Sequence, residues 1–343
     1  IIGDRYEIDQ ELGCGGFATT YLATIIASED CSGKSPDKCV IKQLQPRFNS
    51  PSIWENSKER LDTEGNILKF LGQHDRIPQF LDYFEEDGQF YLVLEFIKGE
   101  EFEHEVQRQI LTEPQVIDFL WDVLEVLDFV HQKGIVHRDI KPTNLIRRVE
   151  DGKIVLIDFG AVKEIGNLII ESDGQLEAPH TQVIGTPGYM PPEQNHGNPT
   201  YSSDIYALGK TAIYGLTGKS PIELEEFETN EGITWYDTTH FSGKLIKVLK
   251  TMISPKITER YNSAQEVLQD LKPLLEIGKI IQNRYYIEKY LGGEARIDNY
   301  LVKDITQPEA IYYFLKKLTP LDNSTEGIRE TVKQVELQIT RLA

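Results

Sequence analysis

Cysteine is scarce in this chain of 343 residues: Cys14, Cys31 and Cys39 are the only three. An odd number without C-x-x-C spacing excludes a disulfide framework and gives no zinc-ligand pattern, so reduced thiols in a cytoplasmic setting are expected. No apolar run approaches the roughly 20 residues needed to cross a bilayer, and no membrane insertion is expected. The opening residues, IIGDRYEI, carry neither a start Met nor a basic n-region, so no targeting signal is legible. Positive charge is also short, since 36 Lys and Arg against 55 Asp and Glu leave a formal net charge of −19. That balance argues against nucleic-acid binding through phosphate contacts and fits cationic partners such as bound metal or basic peptides.

What remains is an ordinary globular composition, 40% apolar and 27% charged. At roughly 150 residues per domain the length suggests two domains. Residues 6 to 26 and 39 to 45 alternate apolar and polar side chains with β-branched and aromatic content, which predicts strands around a glycine turn. In KERLDTEGNILKFLG, Leu61, Ile67, Leu68 and Leu71 recur at helical spacing and Gly72 supplies a stop. FLDYFEEDGQFYLVLEFI reads as a hairpin turning at Asp87-Gly88. From about residue 112 the pattern becomes helical, with Thr112 as N-cap and Val116, Phe119, Leu120, Val123, Leu124, Leu127 and Val130 on one face. A buried helix is expected around 203 to 216, and an acidic loop over 219 to 240. A strand-rich lobe thus precedes a helix-rich one, with the boundary near Lys98 to Glu103.

The most specific stretch is VHRDIKPTNLI, residues 136 to 146, followed by IVLIDFGAVK at 154 to 163. Five fixed places in HRDxKxxN do not match by chance, and here the sequence resembles the eukaryotic-like Ser/Thr protein kinase family, most closely its bacterial, cyanobacterial-like members. The similarity covers about residues 5 to 275. It implies an α+β, bilobal protein-kinase fold with a β-rich N-lobe and an α-helical C-lobe. Residues 1–277 would form the kinase domain, divided into an N-lobe of about 1–97 and a C-lobe of about 98–277. It also implies an ATP-dependent enzyme that phosphorylates Ser and Thr hydroxyls of proteins in signalling, autophosphorylates, and uses Mg²⁺, with Mn²⁺ as an alternative.

Phosphoryl transfer needs phosphates held, charge neutralised and a hydroxyl aimed in line. By the resemblance, Leu12, Gly13, Cys14, Gly15 and Gly16 cradle ATP with backbone N–H groups. Lys42 contacts the α- and β-phosphates, and Glu64 pairs with it, chosen because Ile67 and Leu68 stand three and four places on. Asp139 accepts the hydroxyl proton, and Lys141, the residue Ser/Thr kinases carry, neutralises the transferring group. Asn144 and Asp158 supply oxygen ligands for the metal. Val40 and Leu94 border the adenine slot, with Glu95 and Ile97 offering hinge backbone. His137 and Phe159 are expected to pack. Thr186 falls in the substrate-facing turn, Glu193 is expected to pair with Arg260, and Asp204 to brace the catalytic loop. Thr181, with Ser172 behind it, is the candidate acceptor on the activation segment, its phosphate facing Arg138. Glu101 is a candidate contact for a basic substrate side chain. Four places depart from the family pattern: Ala18 for a third glycine, Thr20 for the usual valine, Val40 for alanine, and PPE at 191 to 193 for APE.

Near its end the chain begins again. NRYYIEKYLGGEARIDNYLV (283–302) matches DRYEIDQELGCGGFATTYLA (4–23) without a gap at Arg, Tyr, Ile, Leu, Gly, Tyr and Leu. YFLKKLTP then sets Lys316 against Lys42, and VELQITRLA parallels TEGNILKFL, setting Glu336 against Glu64. Glu294, Ala295 and Arg296 replace the phosphate loop, and no HRD or DFG follows. Residues 278–343 are therefore expected to be a small, partial kinase-N-lobe-like α+β segment, degenerate and non-catalytic, that docks on the kinase domain or on a regulator.

Overall fold

In the computed structural model, residues 1–14, 18–26, 38–45, 51–164, 185–225, 228–229, 232–233, 241–294, 297–318 and 339–341 are described. The alternating N-terminal segments form β1 (Tyr6–Cys14), β2 (Ala18–Ile25) and β3 (Lys38–Leu44). Helix α1 (Pro51–Leu71) follows, longer at its start than its apolar spacing suggested, and then β4 (Phe80–Glu86) and β5 (Gln89–Glu95). The order β1-β2-β3-β5-β4 is antiparallel throughout. Asp87 and Gly88 turn the β4–β5 hairpin with positive φ at both residues (50° and 73°), as a tight two-residue turn requires. One face of the sheet buries Leu44, Leu92 and Leu94 against Leu61, Ile67, Leu68 and Leu71 of α1. That contact fixes α1 across β3.

The second lobe opens with β6 (Gly99–Glu101), α2 (Phe102–Arg108) and α3 (Glu113–Gln132). Thr112 caps α3, its backbone N–H donating to Gln115 Oε1 at 2.9 Å. Next come β7 (Ile135–Val136), a 3₁₀ turn at Pro142–Asn144, β8 (Leu145–Arg148), β9 (Ile154–Leu156) and β10 (Lys163–Glu164). Strands β6, β8 and β9 form one small sheet, and β7 pairs with β10. These short ladders pin both ends of the connecting loop at 137–144. Then follow α4 (Pro192–Asn195), α5 (Tyr201–Thr217), α6 (Pro221–Glu225), the pair β11 (Glu228–Thr229) and β12 (Gly232–Ile233), α7 (Gly243–Met252) and α8 (Ala264–Leu271). Helix α5 is buried from Ser202 through Leu216 at every position except Tyr206. Such a helix is the lobe's interior axis, as its small and apolar residues predict. The stretch expected as an acidic loop instead holds α6, β11 and β12, short elements too weak in pattern to be read from sequence.

The C-terminal residues build a second antiparallel sheet of β13 (Ile280–Ile281), β14 (Tyr285–Glu294), β15 (Ile297–Asp304), β16 (Tyr312–Leu318) and β17 (Ile339–Arg341), in that order. It reproduces β1–β3 pair by pair. Irregular register falls between Ile287/Lys289 and Tyr290/Gly292, as it does between Ile8/Gln10 and Glu11/Gly13. Gln282 and Asn283 are left-handed (φ 53° each), like Gly3 and Asp4 (58° and 54°). Asn299 lies opposite Lys316 as Thr20 lies opposite Lys42. One expectation is overturned: residues 339–341 are a strand and not a helix. They pair with β16 where β5 pairs with β3, because an open strand edge attracts a partner more strongly than three residues hold a helical turn. Glu336 lies outside the described residues.

This sheet buries Tyr285, Ile287, Tyr300, Val302 and Leu315 on one face. From that face Tyr300 Oη donates to the Pro273 carbonyl at 2.9 Å, and Lys317 pairs with Glu276 at 3.0 Å. The Gly278 N–H donates to the Ile287 carbonyl at 2.8 Å, and the Ile287 N–H to the Lys279 carbonyl at 2.9 Å. The sheet is thus fastened to the 3₁₀ turn Lys272–Glu276 that follows α8.

Candidate active site

Lys42 stands mid-strand on β3, between Thr20 and Leu92 in register. Its Nζ donates to both Glu64 oxygens at 2.6 and 2.8 Å and to Asp158 Oδ1 at 2.9 Å. Burial alone would lower the Lys42 ammonium, but Asp158 and Glu64 outweigh it and hold the charge above its ordinary range. Lys42 in turn pulls the Asp158 carboxyl down to about 2. Burial pushes the Glu64 carboxyl up against the pull of Lys42. The two-pronged contact at these distances favours the ionised pair. Three elements, β3, α1 and the segment after β9, therefore meet at one ammonium.

The loop 137–144 gathers a second group. Asp139 Oδ1 accepts the Thr186 hydroxyl at 2.7 Å, and Oδ2 accepts Lys141 Nζ at 2.7 Å and Asn144 Nδ2 at 3.1 Å. Lys141 also donates to Thr186 Oγ1 at 3.1 Å. The Ile157 N–H donates to the Asn144 carbonyl at 3.0 Å, which ties this loop to the segment that carries Asp158. Arg138 (φ 71°) and Asp158 (φ 67°) occupy the left-handed region, unusual for residues with side chains and characteristic of functional loops.

Asp204, wholly buried in the first turn of α5, holds this loop by its backbone. It accepts the His137 and Arg138 amides, each at 2.8 Å. His137 packs edge-on against Phe159, with ring centroids 4.8 Å apart. Glu193 and Arg260 form the expected buried pair, at 2.7 and 3.1 Å.

A family model described as a protein kinase domain matches residues 6–271. The chain belongs to the protein kinase family. Among its curated relatives, serine/threonine-protein kinase PknA of Nostoc sp. is 44% identical over 275 residues, 79% of this chain and 48% of that protein. Serine/threonine-protein kinase B of Synechocystis sp. is 40% identical over 280 residues, covering 81% of this chain and 48% of the relative. Serine/threonine-protein kinase C of the same organism is 40% identical over 275 residues, 79% and 50% of the two chains. The chain spans about half the length of the curated relatives it matches.

Within this kinase domain, Lys42, Glu64 and Asp158 come together, as do Asp139, Lys141 and Asn144. Leu94 is buried opposite Val40 in the β3–β5 ladder, and Ile97 is buried just beyond β5. Glu95 closes β5, its N–H donating to the Gln79 carbonyl at 2.9 Å. Leu12 and Cys14 are exposed on β1 beside Gly13. Gly15, Gly16, Ser172 and Thr181 lie outside the described residues. Two features were not read from the sequence. Asp158 is a second partner of Lys42, and His131, in the last turn of α3, places Nε2 2.9 Å from Asp204 Oδ2. A lone histidine near a helix end carries no signal that distinguishes it from a solvated residue.

Among the described residues no helix is long and apolar enough to cross a membrane.

Proposed function

We propose that this chain transfers the γ-phosphoryl group of ATP to Ser and Thr hydroxyls of protein substrates. The observation that carries the reading is Lys42 held between Glu64 and Asp158, which joins the sheet lobe to the helical lobe where phosphates must be gripped. Lys42 binds the α- and β-phosphates, with Leu12 to Gly16 above them and Val40, Leu94, Glu95 and Ile97 around adenine. Asp139 orients the incoming hydroxyl and takes its proton, Lys141 faces the charge of the transferring group, and Thr186 supports both side chains.

The residues fit a hard divalent cation. Asn144 commits Nδ2 to Asp139, which leaves its side-chain oxygen to join the Asp158 carboxylate as a metal ligand. Two protein oxygens are too few for a dedicated cage and suit Mg²⁺, or Mn²⁺, held mainly by phosphates and water. Such an ion neutralises phosphate charge when bound. Autophosphorylation on the activation segment, a signalling role and a cytoplasmic setting belong to the same reading. The test is incubation with γ-labelled ATP and Mg²⁺ followed by phosphoamino-acid analysis. Label on serine or threonine is expected, and label confined to tyrosine would overturn the substrate class.

We further propose that residues 1–277 are the kinase domain and that residues 278–343 are a degenerate partial small lobe docked on it. The shared register, the shared irregularities and the shared left-handed entry support this reading. The contacts of Tyr300 and Lys317 with the 272–276 turn support docking in cis.

A further inference from the structure

Thr186 Oγ1 meets Asp139 Oδ1 at 2.7 Å, and the residues just before these two, Gly185 and Arg138, touch one buried side chain. That side chain is Gln194, 2% exposed on α4. Its Nε2 donates to the Arg138 carbonyl at 2.7 Å. The same amide packs on the Gly185 backbone, where an added Cβ would lie 2.5 Å from Nε2. Its footing is firm, because the preceding residue, Glu193, is paired with the buried Arg260 at 2.7 Å.

The Arg138 carbonyl and the Asp139 N–H belong to one peptide plane, so a bond on either end sets the direction in which the chain enters Asp139. Asp204 does not hold this plane. It accepts the His137 and Arg138 amides, which lie two peptides and one peptide earlier. The Asp139 N–H reaches His137 Nδ1 at 3.4 Å, too long for a firm bond. The Gln194 bond is therefore the stronger hold.

It also acts at a strained place. Arg138 is left-handed at φ 71°, a conformation that persists only where surrounding groups over-determine it. An apolar side chain would fill the volume of Gln194 but would leave a buried carbonyl without this donor. On the opposite side of the amide, Gly185 has φ 144°, and its added Cβ would also lie 2.7 Å from Met190 Cγ. Gly185 is thus wedged between Met190 and Gln194. One amide stands behind both ends of the Asp139–Thr186 bond.

We propose that Gln194 is a positioning residue for phosphoryl transfer: its side-chain amide fixes the Arg138–Asp139 peptide and backs Gly185, and so sets the spacing of Asp139 and Thr186. The proposal rests on the kinase reading above. It also links the substrate-facing turn to the catalytic loop, so a shift of either one reaches the other through a single side chain.

The test uses the full chain with Gln194→Met and Gln194→Leu, each alone and combined with Thr186→Val. Both replacements are apolar and close to glutamine in size. With γ-labelled ATP, Mg²⁺ and dephosphorylated casein as acceptor, each Gln194 variant should lower kcat about 3- to 10-fold, the scale of one hydrogen bond, with KM for ATP changed less than about twofold. In the Thr186→Val background the same substitution should lower kcat less than about twofold, because the contact it aims is already gone. A merely structural role would give equal losses in both backgrounds. Hydrogen exchange at the Asp139 amide should accelerate about 3- to 10-fold, while the His137 and Arg138 amides, held by Asp204, keep wild-type protection. Wild-type kcat in both variants, equal losses in the two backgrounds, or unchanged exchange at Asp139 would overturn the proposal. Thermal melts identify a variant that fails to fold, and the other then carries the comparison. Failure of both to fold would also overturn it, since the residue would then serve the fold and not the aim of Asp139. If the wild type itself transfers nothing, the kinase reading fails, and the exchange comparison still decides whether Gln194 holds the Asp139 peptide.

Discussion

Replacing Glu193 with alanine should destabilise the helical lobe more than any surface substitution. The Arg260 side chain is wholly buried and that of Glu193 largely so. The guanidinium donates to Glu193 at 2.7 and 3.1 Å, to the Ser254 carbonyl at 2.7 Å and to the Ser202 carbonyl at 3.1 Å. Removing the carboxylate leaves a buried cation with carbonyls and no counter-charge, a change that costs about 3–5 kcal/mol. Because the carbonyls remain, the lower end, about 3 kcal/mol, is expected, which for a domain of this size is a fall of about 6–12 °C in Tm. Glu193→Ala/Arg260→Met removes both charges and should recover at least half of the loss, since no ion is left stranded. Burial alone would raise the Glu193 carboxyl, but the bonds from Arg260 and Ser203 outweigh it and hold it below its ordinary value. The pair's contribution is then complete above the unfolded carboxyl's range and is lost as pH falls through the lower folded value. Thermal melts, and urea denaturation followed by tryptophan fluorescence and repeated across acid pH, together measure all of this. A loss under about 1 kcal/mol, or a double variant no more stable than the single, would refute the reasoning.

Glu64→Gln leaves Lys42 with Asp158 as its charged partner, and should cut kcat/KM for transfer by about tenfold or more with the fold intact; a wild-type rate would count against the proposed role. In Gly99→Ala, the new Cβ would lie 2.4 Å from Ile146 Cγ2 and 2.5 Å from the Arg147 carbonyl oxygen. The β6–β8 ladder must part, at a cost of about 1–3 kcal/mol that chemical denaturation would detect and whose absence would show a looser β6–β8 pairing than described. Arg284 holds the Asp304 carboxyl down to about 2, so its contribution to the C-terminal sheet should persist above the ordinary carboxylate range and fade as pH falls toward 2. Asp304→Asn should remove that acid transition from hydrogen-exchange protection of β14 and β15, and an unchanged transition would assign it elsewhere.

The candidate site was legible where its residues sit close in sequence. His137 to Asn144 occupy one loop, so their spacing is written directly, and Glu64 could be chosen from the apolar residues one turn beyond it. What stayed hidden depends on distant partners. The Lys42–Asp158 bond spans 116 positions, and His131 gains meaning only from a carboxylate on α5. In the fold, the register of β14–β16 was readable as a repeat because strand pairing conserves offsets. The strand at 339–341 was not, since the open edge of β16 decides it and not local periodicity. Residues 221–225 form a helix through tertiary packing that an acidic composition conceals.

The central claim, that Asp139 serves phosphoryl transfer in a site built on Lys42, Glu64 and Asp158, is tested most directly by one comparison. Wild type and Asp139→Asn are incubated side by side with γ-labelled ATP and Mg²⁺, and incorporated label is counted. The account predicts label on serine or threonine of the wild type and a loss of about 100-fold or more in the variant, the scale of general base catalysis. Equal incorporation in both proteins, or none in either, would contradict it.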